Sequence, residues 1–84
     1  MPYIAATDRP KHQKAIDKIP FINSPGELNF LLTLICKKYW TERSGNYQTF
    51  NDIIGALECC KQEFYSRVVA PYEDEKIKEN GDVF

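Results

Sequence analysis

Residues 24–41 constrain the fold of this chain most. Ser24-Pro25-Gly26-Glu27 is a complete helix start. The serine hydroxyl can accept from a backbone N–H, proline suits the first helical position, and the glutamate can reach back in a capping box. Leu28, Leu31, Leu32, Ile35 and Tyr39 then recur at the three- and four-residue spacing of one helical face. The spacing predicts a helix from Pro25 to about Thr41. Phe30, Leu34 and Cys36 fall off that face, and Trp40 adds bulk near its end. A helix that is apolar over most of its circumference must bury more than one side. A chain of 84 residues has little other protein to cover it. The sequence therefore predicts contact with further copies of the same chain, with Phe30, Leu34 and Trp40 in the interface. The expected assembly is a homo-oligomer, a dimer or a multiple of dimers.

The remaining segments read as helices around this one. Residues 1–7 are extended. Asp8 can cap a short helix that tolerates Pro10 in its first turn, carries Ala15, Ile16 and Ile19 on one edge, and stops at Pro20. Ser44-Gly45-Asn46 is a turn. Thr49, with Asp52 three residues on, caps a second long helix running to about Val69. Its stripe is Phe50, Ile53, Ile54, Leu57, Cys60, Phe64 and Val68. Gly55, Ala56, Cys59 and Cys60 are small residues four apart and predict a close helix crossing. Pro71 is expected to break this helix and push Ala70 out of helical geometry. Tyr72 to Glu79 then form a short terminal helix, acidic at its start and basic near its end, closed by Asn80-Gly81. The expectation is a single all-α domain over residues 1–84. It is a small helical bundle with two long antiparallel helices, a short N-terminal helix and a short C-terminal helix.

Composition excludes several function classes. The net charge of −1 gives no general reason to bind nucleic acid or a membrane surface. The charge is uneven: residues 1–20 sum to +2 and residues 71–84 to −3. No apolar run approaches the length of a membrane span. The N-terminus lacks the basic region and apolar run of a signal peptide. Three cysteines, two of them adjacent, imply no disulfide framework and suit a reducing cytoplasm.

Candidate chemistry is sparse. His12 is the only histidine, and Cys36, Cys59 and Cys60 lack paired metal-ligand spacing, so no metal is expected. The acids from Glu73 to Glu79 fail the cation-loop pattern because Lys76 and Lys78 stand where ligands would be wanted. No nucleophile has a partnering base, and the glycines match no phosphate-binding loop. The expectation is a protein without catalytic residues or cofactor. A binding site for an anionic aromatic ligand can still be assembled from Tyr65, Arg67, Tyr72 and Lys76. Arginine offers a fork for phosphate and tyrosine a stacking face for a base. Taken one at a time, these residues are better explained by an Arg67 ion pair with Glu63 or Glu73 and by amphipathic packing of the tyrosines; the preference is weaker for the four as a group.

The C-terminal block Arg67-Val68-Val69-Ala70-Pro71-Tyr72-Glu73-Asp74-Glu75-Lys76-Ile77, with Glu79-Asn80-Gly81-Asp82-Val83, resembles a family of small uncharacterised phage and prophage proteins. So do Ile53 to Cys59, Glu63-Phe64-Tyr65, Met1-Pro2-Tyr3-Ile4 and Gly26 to Asn29. The likeness implies an origin in a phage or prophage and a setting in the cytoplasm of a bacterial host. It transfers no catalytic residue. Small oligomeric phage proteins often act against host defence, some by holding nucleotide immune signals between subunits and others by blocking a host protein. The resemblance therefore implies a stoichiometric binding role. The first expectation is a nucleotide-like immune signal held at a subunit interface by Tyr65, Arg67, Tyr72 and Lys76; the alternative is a host protein inhibited or recruited by the acidic tail or the face of Phe30, Leu34 and Trp40.

Overall fold

A computed structural model of the protein describes residues 2–84. They are all-helical, 76 % helix with no strand. A short 3-10 turn, Ala6–Asp8, leads into α1, Arg9–Asp17; α2 is Pro25–Thr41 and α3 is Tyr47–Phe64. A π-helical turn, Tyr65–Val69, joins α3 to α4, Ala70–Asn80. The chain divides into two compact units, residues 3–54 and Pro2 with residues 55–84.

In the unit of residues 3–54, α2 has the predicted bounds. The Ser24 hydroxyl accepts from the Glu27 N–H at 3.1 Å, which is the expected cap. Asp8 precedes α1 but makes no side-chain cap bond. The start of α3 differs from the sequence expectation. Asn46, not Thr49, is the cap: its Oδ1 accepts from the Thr49 N–H at 3.0 Å and from the Thr49 hydroxyl at 3.1 Å. Asparagine competes well for this role because its short carbonyl reaches the third N–H of the helix without strain. Gly45 supplies the preceding bend at φ +61°, and a Cβ there would stand 3.1 Å from Trp40 Nε1.

In the other unit the break expected at Pro71 does not occur. Ala70 is helical at φ −60°, ψ −45°, and the helical run continues unbroken from Tyr47 to Asn80. The expected terminal helix is thus the last stretch of a longer one. The reason is the π turn. Proline lacks an N–H, and its ring collides with the carbonyl four residues back in a regular α-helix. Here the Ala70 N–H bonds the Tyr65 carbonyl, five residues back. The widened turn gives the Pro71 ring room and keeps the axis continuous. Gly81 ends α4 at φ +88°, its N–H on the Ile77 carbonyl at 2.8 Å.

Neither unit has an apolar core. Among the described residues no hydrophobic side chain is buried, and the one buried residue is Thr49, 5 % exposed. At Gly55 nothing beyond its chain neighbours and its own helix backbone lies within 4 Å of where a Cβ would be.

Candidate functional site

The four residues expected to form a ligand site lie on the π turn and α4, and the structure brings two of them together. Lys76 places its ammonium 5.5 Å from the centroid of the Tyr72 ring. Residues four apart on a helix share a face, and a cation over a ring gains from the ring quadrupole. Lys76 Nζ also meets Glu79 Oε2 at 3.2 Å. Tyr72 is 62 % exposed, so part of the residue is open to solvent. Lys76 further lines an open cavity of about 300 Å³ between α4 and the tail, with Glu73, Ile77, Asn80 and Phe84.

Arg67 stands apart from this pair. Its Nε meets Glu63 Oε1 at 3.5 Å along the helix, the pairing that the sequence offered as the alternative to a phosphate fork. Both groups keep solvent contact, so the pair contributes little to stability and yields readily to a stronger anion. Tyr65 begins the π turn and is half exposed. Among the described residues no hydrogen bond, ion pair or ring contact joins Tyr65 or Arg67 to the Tyr72–Lys76 pair. Tyr65 and Arg67 lie within the π turn and Tyr72 and Lys76 beyond it, so the register of the turn sets their relative bearing.

The predicted interface residues are all exposed: Phe30, Leu34 and Trp40 on α2. Phe30 and Leu34, four apart, share a face. Trp40 leans on the Gly45 turn and serves that corner as well. No cluster of His, Cys, Asp or Glu among the described residues could hold a metal ion, and Cys36, Cys59 and Cys60 are free thiols. No described helix is long and apolar enough to cross a membrane.

Sequence reasoning missed one polar cluster, in the unit of residues 3–54. The Tyr39 hydroxyl donates to Asp52 Oδ2 at 3.0 Å, and Gln48 Nε2 donates to Asp52 Oδ1 at 2.7 Å. The Arg43 guanidinium lies 3.5 Å from the Tyr39 ring centroid and donates to the Tyr39 carbonyl at 3.1 Å. The cluster ties the end of α2 to the start of α3. Tyr39 and Arg43 at helical spacing were visible in the sequence; their pairing with Asp52 across the turn was not.

Donation to Asp52, with partial desolvation, raises the Tyr39 pKa above its ordinary value of 10.0, and Arg43 opposes the rise. A folded-state value above the unfolded one means the bond contributes fully below about pH 10 and is lost as pH climbs through the raised value. An alkaline absorbance titration should therefore show one late-ionising tyrosine, and Tyr39→Phe should remove it. An unchanged alkaline edge in Tyr39→Phe would mean that the bond to Asp52 is not made in solution. At the acid end, Lys38 holds the Glu42 carboxyl below its usual range, and Gln62 with Lys61 does the same for Glu58.

Set against known proteins, the family described as domain of unknown function DUF6899 matches residues 1–83. No curated protein and no solved structure matches the chain.

Proposed function

The chain belongs to the DUF6899 family, a domain of unknown function, and we propose that it is a non-enzymatic binding protein that works as an assembly of identical chains. The observation that carries this reading is the missing core: no hydrophobic side chain among the described residues is buried. Folding is driven chiefly by removing apolar surface from water. A chain that leaves Phe30, Leu34, Trp40, Phe50, Phe64 and Val68 exposed has that step still to complete, and contact with other chains completes it. The antiparallel pairing of long helices then becomes a property of the assembly. The working partner is a host protein in the bacterial cytoplasm, met stoichiometrically. The likeness to small phage and prophage proteins supports a role against host defence.

A second reading rests on the Tyr72–Lys76 pair. An exposed tyrosine backed by an ammonium, beside a cavity with room for a small ligand, suits a nucleotide-like molecule. In this reading Arg67 leaves Glu63 for the phosphate, Tyr65 adds a second ring, and the assembly sequesters an immune signal.

Native mass spectrometry of the protein purified from phage-infected, defence-active cells tests both at once. Under the first reading the protein appears as a multimer, and a host protein co-purifies at fixed stoichiometry. Under the second, the multimer carries a nucleotide-sized mass that Arg67→Ala and Tyr72→Ala both abolish. If those two variants retain the small molecule as the parent does, the ligand site is wrong. A single chain with nothing bound would remove the basis of both readings.

A further inference from the structure

Acids outnumber cations on α4 and the residues that follow it. Glu73, Asp74, Glu75, Glu79 and Asp82 are matched only by Lys76 and Lys78. Both lysines are taken: Lys76 pairs with Glu79 at 3.2 Å and Lys78 with Glu75 at 3.5 Å. Glu73, Asp74 and Asp82 make no ion pair among the described residues. Two of these three line one cavity. Gly81 turns the chain at φ +88°, and the Phe84 N–H donates to Asp82 Oδ1 at 2.9 Å, which holds the tail in a bend. The bent tail and α4 bound a cavity of about 300 Å³. Glu73, Asn80 and Asp82 contribute polar lining, and Ile77, Val83 and Phe84 contribute the apolar part. Glu73, Ile77 and Asn80 stand at four- and three-residue steps and share one face of α4. Asp74, about 100° further round the helix, is not part of the lining.

We propose that this cavity receives an arginine side chain from a partner protein. The inference rests on the reading of the chain as a binder of a host protein and names the chemistry of the contact. Charge complementarity selects the occupant. Two unpaired carboxylates favour a cation and repel the phosphate of a nucleotide. A metal ion is not the match, because no group of His, Cys, Asp and Glu among the described residues could hold one. The apolar lining calls for a cation on a carbon stem. Such a side chain lays its methylenes along Ile77 and Val83 while its charged head stays at the carboxylates. Guanidinium suits the lining better than ammonium. It is more weakly hydrated, and its planar fork can engage a carboxylate while a further N–H reaches the Asn80 side-chain carbonyl. Asp82 keeps Oδ2 for this contact, since the Phe84 N–H occupies Oδ1.

N-acetyl-arginine amide, titrated into the full chain at physiological salt and followed by backbone NMR, tests the site. The expected result is saturable shifts over residues 73–84 with a Kd of roughly 1–10 mM. N-acetyl-citrulline amide, close in shape but uncharged, should bind about tenfold more weakly. Glu73→Gln and Asp82→Asn should each weaken the arginine probe about three- to fivefold. Asp82→Asn keeps an acceptor for the Phe84 N–H, so the bend of the tail survives. Asp74→Asn removes the same charge outside the cavity and should change nothing. Equal weakening by Asp74→Asn would mean diffuse attraction to an acidic helix and would overturn the site. Citrulline binding as tightly as arginine would overturn it too, as would AMP shifting these residues where arginine does not. A host protein retained in full when Glu73→Gln and Asp82→Asn are combined overturns this contact alone. The absence of any co-purifying host protein overturns the reading beneath it.

Discussion

Diluting the purified protein is expected to unfold it. The midpoint of thermal unfolding should fall by several degrees for each tenfold dilution, and helical circular dichroism should be lost at nanomolar concentration. The cause is linkage: a fold completed by association is stabilised in proportion to the logarithm of its own concentration. Domains of this size gain only a few kcal/mol from a full core, and here the described residues bury none of their hydrophobic side chains. Apart from the Tyr39–Asp52 bond between α2 and α3, the side-chain hydrogen bonds and ion pairs described within one chain are local. Caps at Ser24 and Asn46 contribute about 1 kcal/mol each, and in proteins most helical stability comes from packing an apolar face rather than from propensity. The solvent-exposed ion pairs, such as Lys61–Glu58 at 3.1 Å, add little. Circular dichroism melts over a thousandfold concentration range check the expectation. A midpoint that stays constant would show that one chain folds alone, and the assembly reading would fall.

The second large effect is expected at Pro71. Replacing it with alanine restores a backbone donor and removes the ring that the π turn accommodates. The turn should relax to α-helical pairing, with the residue 70 N–H moving from the Tyr65 carbonyl to the Ser66 carbonyl. Helix stability should rise by about 1–3 kcal/mol. Closing a one-residue bulge also turns everything beyond it by about 100° around the axis. Tyr72 and Lys76 would keep their own contact, being four apart in α4, but lose their bearing on Tyr65, Arg67 and Phe64. A ligand drawing on both sides of the turn should then bind at least about tenfold more weakly, in a protein that is more stable. Stability gained with binding lost is a combination that simple damage to the fold does not produce. Backbone NMR of residues 65–70 together with urea unfolding checks it. Persistence of the bond from residue 70 to Tyr65 in the Pro71→Ala protein would show that proline is not the cause of the π turn.

Helix placement was largely legible because it depends on neighbours in the chain. Ser24-Pro25-Gly26-Glu27 announced α2, and Asn80-Gly81 announced the end of α4, through residue chemistry acting over three or four positions. At the start of α3 two residues with cap chemistry, Asn46 and Thr49, stood within one turn of each other, and local rules did not separate them. Asn46 won because the Gly45 bend aims its carbonyl at the Thr49 N–H. Pro71 misled for a related reason. Rules for proline describe an α-helix, and a single widened turn lies outside them.

The candidate site was legible in its parts. Tyr72 and Lys76 meet because helical spacing alone brings residues four apart together. Arg67 turned to Glu63 by the same local rule. By itself, then, the sequence determined an all-helical chain, both ends of α2, the C-terminal end of α4, and more apolar surface than 84 residues readily cover. Only the tertiary structure decided that the helical run passes through Pro71, that Tyr39 and Asp52 bind the corner between α2 and α3, and that neither unit closes a core. The physical reason is range: caps and spacings act within a turn or two of helix, whereas the direction of a helix beyond a bulge and the covering of an apolar face depend on groups far away in the chain or outside it.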